Sequence, residues 1–380
     1  MPVSKRMRDG KVSWRARWRD DRGAQHSKSF PRKVDAERFM TQLEHARLNG
    51  AYVDPAAGKM TVGEWSRRWM HGQVQLKAKT RSSYESLLRC WVLPRWERVA
   101  LNKVTFGAVA EWVGDMQGEG LSASRTRQAY HVLTGMLDDA VKDGRLIRNP
   151  ALAVDLPRLT STRRRYLRHV ELHGLANACG PYRTLVLTLG YSGMRWGEVA
   201  ALRVHHVDLA RARIEVSQSV AEINGRIVVG TPKSHQTRWL PVPKLLLEGL
   251  EQQLAGKAPD DLVFPSPKGT FLRVANFRRG YFDRAAASIG QSGLYPHELR
   301  HTAASLAIAA GATVKSVQRM LGHASATLTL DRYGHLFADE LDDVAARLDD
   351  AMRDADVVPM WSRADPTLVD QDGQGPENGR

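Results

Sequence analysis

Tyr333 lies near the end of LGHASATLTLDRYGH (321–335), which also holds His323, and a second histidine cluster, HELRH, occupies 297–301. A phenol has a reference pKa of roughly 10, so it attacks well only when a base or a positive field helps to remove its proton. Both kinds of help stand in these two segments. His297 and Arg300 are three residues apart, which on a helix places an imidazole and a guanidinium on one face. The guanidinium offers two parallel donors to phosphate oxygens, and the imidazole moves a proton near neutral pH. HELRH also satisfies HExxH, in which two helical histidines hold zinc and the glutamate serves as base; His323 would then be a third ligand. Arg300 inside that motif opposes a neighbouring cation, which favours the phosphate-activating pair. A packed aromatic at 333 and a helix-capping histidine at 297 are the plain structural alternatives.

A phosphate substrate agrees with the charge balance. The chain carries 56 Lys and Arg against 41 Asp and Glu, a formal charge of +15, which suits a polyanionic partner, most commonly nucleic acid. The excess is uneven: residues 1–50 hold 13 basic and 6 acidic side chains, whereas 336–380 hold 4 and 12. The acidic end is expected to face away from DNA. A basic surface kept only for solubility is the plainer reading. Cys90 and Cys179 are the two cysteines and lack paired ligand spacing, which fits a reducing compartment and argues against a disulfide scaffold or a cysteine-based zinc site. No run of about 18 apolar residues occurs, and MPVSKRMRDG leads into charged sequence. A cytosolic protein with neither signal peptide nor membrane span is expected.

The elements that must position these residues follow from periodicity. With 380 residues, two or three domains are expected, since one usually takes about 100 to 150. In KVSWRARWR, Val12, Trp14, Ala16 and Trp18 alternate with Ser13, Arg15, Arg17 and Arg19, a half-buried strand with a basic outer face. DDRG (20–23) turns the chain into a returning strand, AQHSKSF, and Ala36, Phe39, Met40 and Leu43 mark a short amphipathic helix. So small a unit buries little and reads as an appended module, whose basic strand suits a DNA groove. GAYVDPAAGKM (50–60) reads as a linker.

From 61 to 150 the spacing is helical. Val62, Trp65 and Trp69 share one face, Val109, Trp112, Val113 and Met116 another, and a third run extends from Ser122 to Gly144. Lys79, Arg81, Arg89, Arg125 and Arg127 keep this stretch basic, which fits a helical DNA clamp; a helical spacer is the alternative. RNPALAVDLPRLTSTRRR (148–165) is a basic connector. In the largest part, 166–353, helices around 170–203 lead into strand-like RIEVSQSV, an Asn224-Gly225 hairpin turn, RIVVG and RWLPV, with helices again after Pro265. Gly311 and Gly322 are helix stops, and Ser325 is a helix cap. A last helix at 341–352 aligns Leu341, Val344, Ala345, Leu348 and Met352, and the acidic end, 354–380, is expected to be disordered.

The chemical residues, taken together, resemble the tyrosine recombinase family, in particular phage-type integrases. The family's first arginine matches Arg195 in YSGMRWGE, with Glu198 as its acidic support. Its hairpin lysine matches Lys233 in GTPKSHQTRW, its H-x-x-R motif His297 and Arg300, its second histidine His323 in LGHAS, and its nucleophile Tyr333 in LDRYGH. All six positions occur in family order across 195–333. The resemblance implies a multidomain α+β architecture: a small three-stranded sheet plus helix binding arm-type DNA sites (1–55), a helical core-type DNA-binding domain (61–150), and a mixed, mainly helical catalytic domain with a small antiparallel sheet (166–353).

It also implies site-specific recombination through a 3′-phosphotyrosyl intermediate, without cofactor, metal or ATP. Arg195 and Arg300 would clamp the phosphate and His323 would donate to it. His297 would accept or relay the tyrosyl proton, and Lys233 would protonate the leaving 5′-oxygen. Implied partners are double-stranded DNA attachment sites, a homotetramer on DNA, a DNA-bending host factor and an excision-directing factor, in the nucleoid of a bacterial host cell. The last helix resembles one that contacts a neighbouring protomer; packing on its own domain is the alternative. His301 and His335 fit either a supporting role or simple packing. Competing readings are type IB topoisomerase-like relaxation, a non-catalytic DNA-binding regulator and metal-dependent hydrolysis.

Overall fold

The computed structural model describes residues 3–8, 11–19, 23, 25–48, 57–159, 165–232, 236–337 and 340–355. It divides into two compact units, Met1–Arg163 with Glu222–Arg226, and Arg164–Ala221 with Ile227–Arg380. Lys233 and all of the acidic end beyond Ala355 lie outside the described residues.

The first unit begins with an antiparallel sheet in the order β1 (Val3–Arg8), β2 (Lys11–Arg19), β3 (Gln25–Phe30), followed by α1 (Lys33–Leu48). The alternation in β2 sends Ala16 and Trp18 into a small core with Ala36, Met40 and Leu43 of α1, while Arg17 and Arg19 are exposed. Sequence periodicity reveals two of these strands; β1 is too polar to alternate, and its pairing with β2 (Val3 opposite Ala16, Met7 opposite Val12) is what makes it a strand.

The helices of the first unit are α2 (Val62–Gly72), α3 (Ala78–Leu87), α4 (Leu93–Trp96), α5 (Phe106–Gly118) and α6 (Ala123–Lys142), with a π-helical turn, Leu88–Val92, joining α3 to α4. A capping box starts α2: Thr61 Oγ1 accepts the Glu64 amide at 3.1 Å and Glu64 accepts the Thr61 amide at 2.9 Å. The indole rings expected on one face are buried, and each N–H finds a partner: Trp65 donates to the Met136 carbonyl and Trp69 to the Asp139 carboxylate, both at 2.8 Å. Ser122 caps α6 by accepting the Arg125 amide.

In the second unit α7 (His169–Ala178) and α8 (Arg183–Ser192) lead to α9 (Trp196–Ala200). Next along the chain come β4 (Val207–Asp208), β5 (Arg213–Val216), β6 (Ser219–Ile223), β7 (Arg226–Gly230) and β8 (Arg238–Pro241), the tip of the β6–β7 hairpin, Glu222–Arg226, being grouped with the first unit. One sheet has the order β4-β5-β8, and β6 pairs with β7 separately. RIEVSQSV is therefore two strands in different sheets. Between them Ser217 leaves the first sheet and its hydroxyl meets His206 Nε2 at 3.0 Å. Asn224 and Gly225 both have positive φ, 49° and 77°, as a tight hairpin turn requires.

Helices α10 (Lys244–Leu254), α11 (Val274–Phe277), α12 (Asp283–Ser288), α13 (Glu298–Ala309), α14 (Val314–Leu321), α15 (Ala326–Tyr333) and α16 (Glu340–Asp354) complete the chain. Helix α10 precedes Pro265, ahead of where helices are expected to return. Its signal is Leu246, Leu250 and Leu254 at spacing four, the first two being fully buried. The eight apolar and small residues of α8 that are buried make it the central helix of this unit, packed against α7 and α13.

Candidate active site

Two helix ends organise the site. Helices α8 and α14 both terminate at glycines in the left-handed region, Gly193 (φ 65°) and Gly322 (φ 62°). The last carbonyls of a helix lack intrahelical partners and carry the negative end of its dipole. Here arginines fill them. Arg300 donates to the carbonyls of Gly193 and Leu321, Arg238 Nε to Met320 at 3.3 Å, and Arg195 Nη2 to Gly322 at 3.4 Å. One carboxylate ties two of these arginines together. Glu198, whose side chain is 0% exposed, accepts Arg195 Nη1 at 2.9 Å and Arg238 Nη2 at 2.6 Å. Burial alone would raise the Glu198 pKa, but hydrogen bonding and charge from Arg238, then from Arg195, outweigh it and leave it lowered. Two guanidiniums thus share one carboxylate with a third, Arg300, close by, leaving net positive charge.

The position of Arg300 is costly to maintain and correspondingly well held. It is 3% exposed, and burial followed by repulsion from Arg195 pushes its pKa down to about 9. It remains cationic at neutral pH.

The aromatic groups lie beside this cluster. Tyr333, the last residue of α15, is fully buried, and its hydroxyl is 2.7 Å from His301 Nδ1. The His323 ring is nearly parallel to Tyr333 (8°) with centroids 6.5 Å apart, and its Nδ1 is 2.9 Å from Thr329 Oγ1. His297 is not inside α13 but immediately before it, at the N-cap, and its ring centroid is 5.6 Å from that of His301. It is exposed at the rim, yet the protein packed about the ring, then Arg300, Arg195 and Arg332, hold its pKa below the usual histidine value. Glu298, the base in a zinc reading of HELRH, accepts the Tyr295 amide at 2.8 Å.

The fold therefore gathers Arg195, Glu198, His297, Arg300, His323 and Tyr333, which are far apart in sequence. It adds two residues that spacing does not single out. Arg238 is five residues past Lys233 and inward-facing on β8, a position whose significance depends on α14. His301 carries a signal in HELRH, but its spacing fits packing equally well. His335 Nε2 meets Tyr166 Oη at 3.3 Å. Among the basic residues expected to face DNA, Arg17, Arg19, Lys79 and Arg89 are exposed. Others hold structure as well: Arg15 donates to Ser27, Arg81 to the carbonyls of Met70 and Gln73 at the end of α2, Arg125 to Ser86, and Arg127 to the Pro157 carbonyl.

Gly197, between Arg195 and Glu198, is a test of this geometry. A Cβ there would come within 2.3 Å of the Val220 carbonyl oxygen and 2.7 Å of Ser219 Oγ on β6. Gly197→Ala must push the β6 backbone away from α9, with a stability cost of about 1–3 kcal/mol. We expect a lower denaturation midpoint by several degrees; an unchanged midpoint would show that β6 yields freely.

The histidines set a pH dependence. Burial first, then Arg300, Arg332, Arg195 and His301, push the His323 pKa to about 4. A histidine neutral when folded lets the unfolded chain bind more protons below its ordinary pKa. The stability it contributes is complete above about pH 6.5 and is lost as pH falls towards about 4. The lowered values of His297, His206 and His173 act in the same direction. Melting should occur at lower temperature at pH 5 than at pH 7, with a smaller difference in His323→Gln; identical pH dependence in that variant would contradict the assignment.

An α+β catalytic unit that sets a buried tyrosine beside arginines and histidines is the arrangement of a tyrosine recombinase. Residues 165–340 match the model of the phage integrase family. It is 29% identical over 337 residues to a putative prophage phiRv2 integrase of Mycobacterium tuberculosis, covering 84% of this chain and 88% of that protein. The fold is shared with the Tn1549 transposon integrase, solved in complex with a circular intermediate DNA (TM-score 0.66, 21% identity, 76% of this chain and 99% of the other). It is also shared with lambda integrase, solved as a tetramer bound to a Holliday junction (TM-score 0.55, 19% identity, 87% and 95%). Among the described residues no helix is long and apolar enough to cross a membrane.

Proposed function

We propose that this chain is an integrase that cuts and rejoins double-stranded DNA attachment sites through Tyr333, inserting a phage or other mobile element into a bacterial chromosome and able to excise it. The observation that carries the reading is the buried Tyr333 hydroxyl, bonded to an imidazole beside a cluster of fixed cations. Attack of its oxygen on phosphorus forms a 3′-phosphotyrosyl ester and releases a 5′-hydroxyl. The ester retains the energy of the broken phosphodiester, so the 5′-hydroxyl of another strand can reseal it without ATP.

Charge on the nonbridging oxygens rises as the new bond forms. Arg195 and Arg300, already oriented by carbonyls and Glu198, supply donors that need no reorganisation, which is the most effective form of electrostatic catalysis. His323 Nδ1 is held by the Thr329 hydroxyl; in the tautomer in which that hydroxyl donates, the neutral ring carries its proton on Nε2 and presents it to the phosphate. Lys233 is assigned protonation of the leaving 5′-oxygen from the family pattern alone. Residues 1–55 are assigned arm-type DNA contacts, 61–150 core-site contacts and 166–353 catalysis. The likeness to a lambda integrase tetramer on a Holliday junction supports four copies acting on two duplexes. A DNA-bending host factor and an excision-directing factor complete this reading, and the work takes place on the nucleoid.

Two marked duplexes carrying the repeats that flank the element provide the test. Exchange of markers in excess chelator supports integration. Relaxation of supercoils without exchange supports topoisomerase-like religation, DNA binding without cleavage supports a regulator, and activity lost with the chelator supports metal-dependent hydrolysis.

A further inference from the structure

The structure assigns the first proton acceptor of Tyr333 to His301: the phenolic proton passes to His301 Nδ1 as the phenolic oxygen attacks phosphorus. This rests on the integrase reading and adds a catalytic residue to it. His301 touches the reacting atom, with Nδ1 2.7 Å from Tyr333 Oη, within the range a general base requires. The contact is built into the fold. Tyr333 ends α15 and packs with Ala304 and Ile308 of α13, one and two turns beyond His301, and with Leu321 of α14. The ring sits between the nucleophile and His297, with centroids 5.7 Å from the first and 5.6 Å from the second. His297, at the exposed rim, is thus placed to take the proton onward. Among the described residues, the other charged or titratable groups that act here include Arg300 on the same helix, Arg195 before α9, His323 after α14, whose own titration His301 influences, and Arg332 of α15.

In the step, the phenolic O–H bond breaks and its electron pair forms the O–P bond. His301 becomes an imidazolium, the P–O5′ bond breaks, and the 5′-oxygen takes a separate proton from Lys233. Religation reverses each transfer, so no oxidant, reductant or further reactant is consumed.

Only the acceptor function separates His301 from a residue that merely holds the tyrosine. His301→Asn keeps an acceptor, Oδ1, near the position of Nδ1 but cannot carry a proton at neutral pH. Single-turnover cleavage of a nicked suicide duplex carrying the flanking repeat is followed in the full-length protein, with melting and DNA binding measured alongside. We expect wild-type folding and binding, cleavage slower by about 100-fold, and loss of the rate increase with pH that reports the base. A 5′-bridging phosphorothiolate, whose sulfur leaves without protonation, should restore cleavage to Lys233→Ala but not to His301→Asn. Wild-type cleavage in His301→Asn, or its rescue by the phosphorothiolate, overturns the inference while leaving Tyr333 as nucleophile. Absence of any covalent adduct with the wild-type protein overturns the integrase reading as well.

Discussion

Tyr333→Phe should form no covalent complex with a suicide DNA substrate and perform no recombination, yet bind the same DNA with unchanged affinity. The substitution removes one oxygen and nothing that shapes the ring's packing against Ala304, Ile308, Val317 and Leu321. The lost hydrogen bond to His301 costs about 0.5–1.5 kcal/mol of stability, so the variant remains folded and able to bind. Two other hydroxyls of this region are already engaged: Thr329 Oγ1 lies against His323, and Tyr166 Oη against His335. The measurement is covalent trapping followed by mass spectrometry of the adduct peptide. A nucleotide recovered on any side chain of the Tyr333→Phe protein would refute the assignment, and loss of DNA binding would show that the hydroxyl serves the fold instead.

Arg300→Lys should lower cleavage by about 10²–10³-fold, the effect of removing one preorganised donor from a charged transition state. Retaining the positive charge does not rescue it. The guanidinium spans two carbonyls, Gly193 at the end of α8 and Leu321 at the end of α14, and an ammonium lacks the planar fork needed to bridge them while also addressing a phosphate. At least one buried carbonyl loses its donor, at a cost of about 1–3 kcal/mol. The variant should therefore melt at lower temperature and, at a temperature where it is fully folded, cleave slowly while binding DNA. Cleavage near the wild-type rate would mean that charge alone matters there and that the fork geometry does not.

Much of the local structure was legible because its causes are local. Gly322 stops α14 in the left-handed region, Ser325 starts α15 by accepting the Leu328 amide at 3.2 Å, and the indoles of Trp65 and Trp69 are buried as their spacing requires. Strand β1 was not legible in the periodicity, though the family resemblance implied a three-stranded sheet, because its polar residues acquire order only by pairing with β2. Nor was the break in RIEVSQSV, since a continuous β-prone run does not indicate which sheet each half joins.

The site divides in the same way. The resemblance to tyrosine recombinases, carried by residue types and their order along the chain, is what nominated Arg195, Glu198, His297, Arg300, His323 and Tyr333 as candidates for one chemistry. Tertiary structure alone decided how they are held. The end of α14 offers the carbonyls of Met320, Leu321 and Gly322 to arginines from positions 238, 300 and 195, and the turn of α15 sets Tyr333 against His301 rather than His297. The physical reason is range. Helix stops, caps and alternation arise from neighbours a few residues apart, whereas a carbonyl or a phenol takes its partner from whatever the packed core brings within about 3 Å.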